Sequence, residues 1–162
     1  LTIMGLLSLD APPTGFFLGS GASEGYTRLN AFDCALLEAG VGNTNLIKIS
    51  SILPPGVPLI EPAPLQPGAF IPIAYASIMS DLPQQMIAAA VAVAIPVDPS
   101  LNGVIMEYSC SGHAEDALMI VRSMAEEAMR YRGFAIKEVL SASVEHRVES
   151  VGAAFACVVL HR

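Results

Sequence analysis

Seven short runs punctuate this sequence: "GFFLGSG" (15–21), "LIKISSIL" (46–53), "FIPIAYASIM" (70–79), "MIAAAVAVAI" (86–95), "GVIMEY" (103–108), "EVLSASVEH" (138–146) and "AAFACVVL" (153–160). Each is rich in β-branched or small apolar residues and is set off by Pro, Gly, Asn or Asp, the pattern of strands joined by turns. The alanine-rich run at 86–95 suits a helix on propensity alone, but Val91, Val93 and Ile95 alternate, which favours a strand. So many strands beside only two helical segments point to an α+β fold, with antiparallel or mixed sheets covered by helices on their outer faces.

The two helical segments are 29–39 and 113–132. In the first, Phe32, Leu36 and Ala39 recur at helical spacing, Asn30 is placed to act near the N-cap, and Gly40 and Gly42 end the run. In the second, Leu118, Val121, Ala125, Ala128 and Met129 form one apolar stripe. Ser111 is the candidate cap, Gly133 the stop, and Glu126 with Arg130 an exposed i,i+4 pair. The proline-rich stretch 53–68 reads as an extended surface loop and not as a linker, so the whole chain, 1–162, is expected to be one domain.

Composition narrows the choice of partner. With 53% hydrophobic and 14% charged residues the chain is built to bury a core. Its formal charge of -7 is the wrong sign for nucleic acid or an anionic membrane and suits a cationic small molecule. Cys34, Cys110 and Cys157 are odd in number and lack zinc-site spacing, so they read as buried free thiols in a reducing cytoplasm. The start, "LTIMGLLSLDAPPTG", has no basic residue ahead of its apolar stretch, and no signal peptide is expected. The longest apolar segment, 68–96, is cut by Asp81, Pro83, Gln84 and Gln85, so no membrane span is expected either. The three histidines, His113, His146 and His161, lack the spacing of a metal cluster and read as structural.

Within 46–53 stand two adjacent serines, Ser50 and Ser51. On spacing alone they are strand-end hydroxyls capping backbone groups beside Pro54 and Pro55. If the run is extended throughout, Asn45 and Ser51 share a face. In "GVIMEY", Val104, Met106 and Tyr108 face one way and Ile105 and Glu107 the other, which sets an acid among apolar neighbours. Such a position either desolvates Glu107, raising its pKa as a general acid requires, or leaves it solvated or paired with an arginine. Asp33, read in the first turn of its helix, is on general grounds a partner for the helix dipole.

The stretch "GASEGYTRLNAFDCALLEAGVGNTNLIKISSILPPG" (21–56), continued by "AYASIMSDLP", "AVAIP", "GVIMEY" and "VEHRVE", resembles the pyruvoyl-dependent arginine decarboxylases over nearly the whole chain. The resemblance implies a four-layer αββα sandwich and self-cleavage between Ser50 and Ser51. The Ser51 hydroxyl attacks the Ser50 carbonyl carbon, the amide becomes an ester, and β-elimination leaves dehydroalanine, which hydrolyses to a pyruvoyl group and ammonia. Residues 1–50 then form a β chain and 51–162 an α chain. The covalent pyruvoyl group would form a Schiff base with L-arginine and draw off the electrons released with carbon dioxide, giving agmatine. No metal is implied, and with only Lys48 and Lys137 available a pyridoxal phosphate Schiff base is poorly supported.

The resemblance also assigns roles. Asn45 would donate a hydrogen bond during cleavage or to the finished cofactor, Glu107 would protonate the carbanion, and Asp33 would bind the guanidinium. Glu24, Arg28 and Glu38 are weaker candidates, read as solvated or at subunit contacts. A glutamine at 107 is expected to leave maturation intact. Trimers, alone or paired into hexamers, are implied with active sites between neighbours. The alternatives are decarboxylation of another amino acid, such as histidine, or a non-catalytic assembly module of the same fold.

Overall fold

The computed structural model describes residues 11–162, so most of the N-terminal apolar stretch lies outside the described residues. In chain order the elements are β1 (Gly15–Glu24), α1 (Arg28–Glu38), β2 (Asn45–Lys48), β3 (Ile52–Leu53) and β4 (Phe70–Ser80). They continue as β5 (Met86–Pro96), β6 (Gly103–Ser111), α2 (Ala114–Arg132), β7 (Ile136–Arg147) and β8 (Gly152–His161). One sheet has the order β1-β8-β4-β2 and the other β3-β6-β5-β7. Every neighbouring pair is antiparallel except β2 with β4, which is parallel.

Three apolar layers hold four layers of structure together, the αββα sandwich that the resemblance implied. Between the sheets, Phe16, Ala74, Ala156 and Val158 meet Ile87, Val91, Val93 and Ile105. Helix α1 lays Ala31, Ala35 and Leu36 on Phe17, Ile73 and Phe155. Helix α2 lays Ala117, Val121, Ala125 and Met129 on Ala88, Ala90, Ala92 and Ala94 of β5. Successive residues of β5 thus feed opposite layers, which settles the alanine-rich run as a strand. Helix α1 also sits very close to β1: a Cβ on Gly21 would lie 2.3 Å from the Ala35 carbonyl oxygen.

Several local readings need correction. Thr27, not Asn30, caps α1: its Oγ1 accepts from the Asn30 N–H at 3.2 Å and donates to Asn30 Oδ1 at 2.7 Å. Because the helix begins at Arg28, Asp33 falls beyond its first turn, which holds no acid. The N-cap of α2 is His113, whose side chain makes no capping bond. The helix start is instead satisfied across the sheet by Glu145 Oε1, which accepts from the Ala114 N–H at 3.1 Å. Ser111 stays in β6. The ion pair on α2 joins Arg130 to Glu127, three residues away, and not to Glu126. At its C-terminus α2 stops as expected, on Gly133 at φ 69°.

The largest departure is at 46–53, which is not one strand. β2 ends at Lys48 in the first sheet and β3 begins at Ile52 in the second. The loop that follows β3 runs along β1, with the Phe16 N–H donating to Pro58 O at 2.9 Å and the Ile60 N–H to Phe16 O at 2.8 Å.

Candidate active site

The crossover between sheets carries both serines. On the first sheet the Ile49 N–H donates to Ile73 O at 3.0 Å, and on the second the Ile105 N–H donates to Ser51 O at 2.9 Å. The Ser50–Ser51 peptide is therefore held from both ends across the gap between sheets. To make the turn, Ser51 adopts φ 75°, a left-handed conformation that costs an L-residue with a Cβ about 1–2 kcal/mol. The Ser51 hydroxyl donates to Glu107 Oε1.

Glu107 reaches that hydroxyl because of strand alternation. It lies opposite Val91 of β5, an inter-sheet core residue, and two residues after Ile105 of the same layer. The face predicted for it is thus the face it occupies, and it is half-buried. Both sheets have open edges here. The β2–β4 pairing ends at Lys48 with Ile73 and the β3–β6 pairing at Ile52 with Val104, so among the described residues β4 beyond Ile73 and β6 beyond Ile105 lack a strand neighbour on that side. Lys48, Tyr75, Ser77, Glu107, Tyr108 and Ser109 line a cleft of about 290 Å³ at these edges. Larger hollows lie elsewhere, about 490 Å³ over Met119 and Met124 of α2 and about 410 Å³ beside Pro54 and Pro99. Neither is lined by Ser51 or Glu107, so volume is a poor guide to the chemistry of this chain.

Asn45 and Asp33 stand apart from this pair. Asn45 opens β2, and its amide donates to Gly68 O at 3.0 Å. The face-sharing predicted for Asn45 and Ser51 fails because the extended alternation stops at Lys48. Asp33 is exposed on α1, which covers the outer face of the first sheet, whereas Glu107 belongs to the second sheet and faces inward. A single protomer does not bring the two carboxylates together.

The other candidates have partners of their own. Glu24 is half-buried, and its carboxylate takes the Ser150 N–H at 2.6 Å, the Val151 N–H at 3.2 Å and His146 Nε2 at 2.6 Å. Burial works against its charged form, but the Ser150 N–H and His146 outweigh it and hold the carboxyl below its ordinary range. Arg28 pairs with Asp81 at 3.1 Å. Cys34, Cys110 and Cys157 are free thiols, but only Cys157 is buried as expected, the other two being half-buried; burial pushes Cys157 up to about 12, leaving it inert. Among the described residues no group of three His, Cys, Asp or Glu side chains is placed to hold a metal. Among the described residues no helix is long and apolar enough to cross a membrane. Sequence reasoning missed Lys48 and Tyr75 as neighbours in the cleft, since only the β2–β4 pairing joins them and nothing in their spacing signals it.

Comparison with known proteins identifies the family. The family model for pyruvoyl-dependent arginine decarboxylase matches residues 15–161. A pyruvoyl-dependent arginine decarboxylase of Methanocaldococcus jannaschii is 48% identical over 148 residues, covering 91% of this chain and 90% of that protein. Those of Methanococcus maripaludis strain C6 and Thermococcus kodakarensis are 44% and 42% identical, covering 93% and 91% of this chain and 92% and 94% of their own lengths. A solved pyruvoyl-dependent histidine decarboxylase at pH 8 aligns with a TM-score of 0.46 and 17% identity over 56% of this chain and 50% of its own. With a match across nearly all of both sequences, the chain belongs to the pyruvoyl-dependent arginine decarboxylase family.

Proposed function

We propose that this chain is the precursor of a decarboxylase that cleaves itself between Ser50 and Ser51 and converts L-arginine to agmatine and carbon dioxide. The observation that carries the reading is the Ser51–Glu107 hydrogen bond at a strained crossover between sheets. An amide is a poor electrophile and a serine hydroxyl a weak nucleophile, so attack needs a base at the hydroxyl and a restrained carbonyl. Glu107 is in contact with the proton to be removed. As Ser51 Oγ bonds to the Ser50 carbonyl carbon, that C–N bond breaks and the proton passes to the Ser51 nitrogen.

Ser51 also suits conversion to a pyruvoyl group, because its carbonyl is tied to the Ile105 N–H and stays fixed on β6 when the bond before it breaks. That group supplies the electron sink for loss of carbon dioxide. The protein supplies the proton that replaces it, and Glu107, beside residue 51 and lining the cleft, is the acid. Asp33 reads the guanidinium, a carboxylate being its natural bidentate acceptor. Since Asp33 is remote from Glu107 within one protomer, it serves a neighbour's site, and the working unit is a trimer or a pair of trimers. Asn45 acts from the far end of β2 by holding the Gly68 turn against the strand. The reading includes a cytoplasmic location, which three free thiols suit.

The test is to purify the chain, follow its intact mass, and assay arginine. Two fragments whose junction lies at 50/51, with release of carbon dioxide and agmatine, are expected. A chain that stays whole on prolonged incubation and releases no carbon dioxide would make it a non-catalytic member of the family.

A further inference from the structure

Lys48 closes β2 with its Nζ 4.8 Å from the centroid of the Tyr75 ring. That ring is fixed in turn, with Phe155 at 5.4 Å and Phe32 at 6.4 Å between centroids. An aromatic face attracts a cation and holds it in place without cancelling its charge. The ion pairs among the described residues engage Arg28, His113, Arg130 and His146, and none engages Lys48. In a chain of formal charge -7, a lysine without a carboxylate partner therefore lines the same cleft as Glu107. Its long stem lets the ammonium reach over the sheet edge where β2 ends.

An amino-acid substrate must bring its α-carboxylate to residue 51, close to the carboxyl group of Glu107. A carboxylate needs a cationic partner there, and among the residues lining the cleft Lys48 alone is cationic. We propose that Lys48 binds the α-carboxylate of the substrate and thereby distinguishes the amino acid from its decarboxylated product. This rests on the decarboxylase reading above. When carbon dioxide leaves as a neutral molecule, the ion pair loses its anion, and the product amine departs without having to break it.

The test compares fully processed wild type, Lys48→Met and Lys48→Arg for arginine turnover and for competitive inhibition by agmatine, which lacks the carboxylate. In Lys48→Met the KM for arginine should rise roughly tenfold or more, the inhibition constant of agmatine should stay within about twofold, and Lys48→Arg should restore most of the difference. A purely structural role would weaken both ligands alike. An unchanged KM, or equal weakening of arginine and agmatine, overturns the proposal. If Lys48→Met fails to mature, Lys48→Gln takes its place. Failure of both while Lys48→Arg matures would assign Lys48 to folding or cleavage and overturn the proposal as well. A wild type that neither cleaves nor turns over arginine would overturn the decarboxylase reading first, and this one with it.

Discussion

Ser51 combines backbone strain with a polarised hydroxyl, and magnitudes decide which matters more. A left-handed φ at a serine stores about 1–2 kcal/mol, a factor of roughly five to thirty in rate if all of it were released on cleavage. Amide scission needs far more than that, so proton transfer from the hydroxyl must carry the larger share. Ser51→Ala removes the attacking oxygen and one hydrogen bond, and should leave a folded chain that never divides, as denaturing electrophoresis would display. Two fragments from that variant would locate the cleavage chemistry elsewhere. Glu107→Gln is more informative. The sequence alone suggests that an isosteric amide lets maturation proceed, but the amide cannot take the Ser51 proton that Glu107 is placed to accept. Self-cleavage of Glu107→Gln should therefore slow by roughly 10²- to 10⁴-fold, and turnover by whatever fraction matures should fall comparably. Maturation at the wild-type rate, followed by intact mass over time, would separate Glu107 from the cleavage step.

At the scale of elements, the strand most exposed to misreading is also the one most tightly enclosed. Ala88, Ala90, Ala92 and Ala94 are fully buried beneath α2, and their small side chains are what allow the helix to sit on β5. Ala90→Leu should force the helix outward at a cost of about 1–3 kcal/mol, lowering the melting temperature by several degrees. Self-cleavage should survive, because Ser51 contacts the opposite face of that sheet; an unchanged melting temperature would mean that the helix layer is looser than described. The alternation of Val91, Val93 and Ile95 made this strand legible, as Ile105 and Glu107 did for β6, because period two is a local property. The break inside 46–53 was not legible. Leu46 to Leu53 reads as one apolar run, and only the choice of different partners, Ile73 for Ile49 and Ile105 for Ser51, splits it between sheets. The caps failed for a similar reason: Glu145, which serves the start of α2, comes from another strand.

For the whole molecule, the layer order separates two residues that the proposed chemistry needs together. Asp33 lies on the exposed side of the α1 layer and Glu107 between the sheets, so a site using both draws them from different protomers. Ser51→Ala protomers would retain Asp33 but lack the reactive group, and Asp33→Asn protomers would mature but lack the guanidinium acceptor. Each variant alone should be nearly inactive on arginine. Unfolded and reassembled together in equal amounts, they should form mixed oligomers in which Asp33 from one variant completes the processed site of the other, in about one quarter of all sites for random association. Processing of the Asp33→Asn chain is completed before mixing and checked by mass, so that only substrate binding is compared. Recovery of arginine turnover at about that level, scaling with the product of the two fractions, is the expected outcome. No recovery from verified mixed oligomers would mean either that Asp33 serves its own protomer's site or that it does not read the guanidinium, and the shared-site arrangement would fall in both cases.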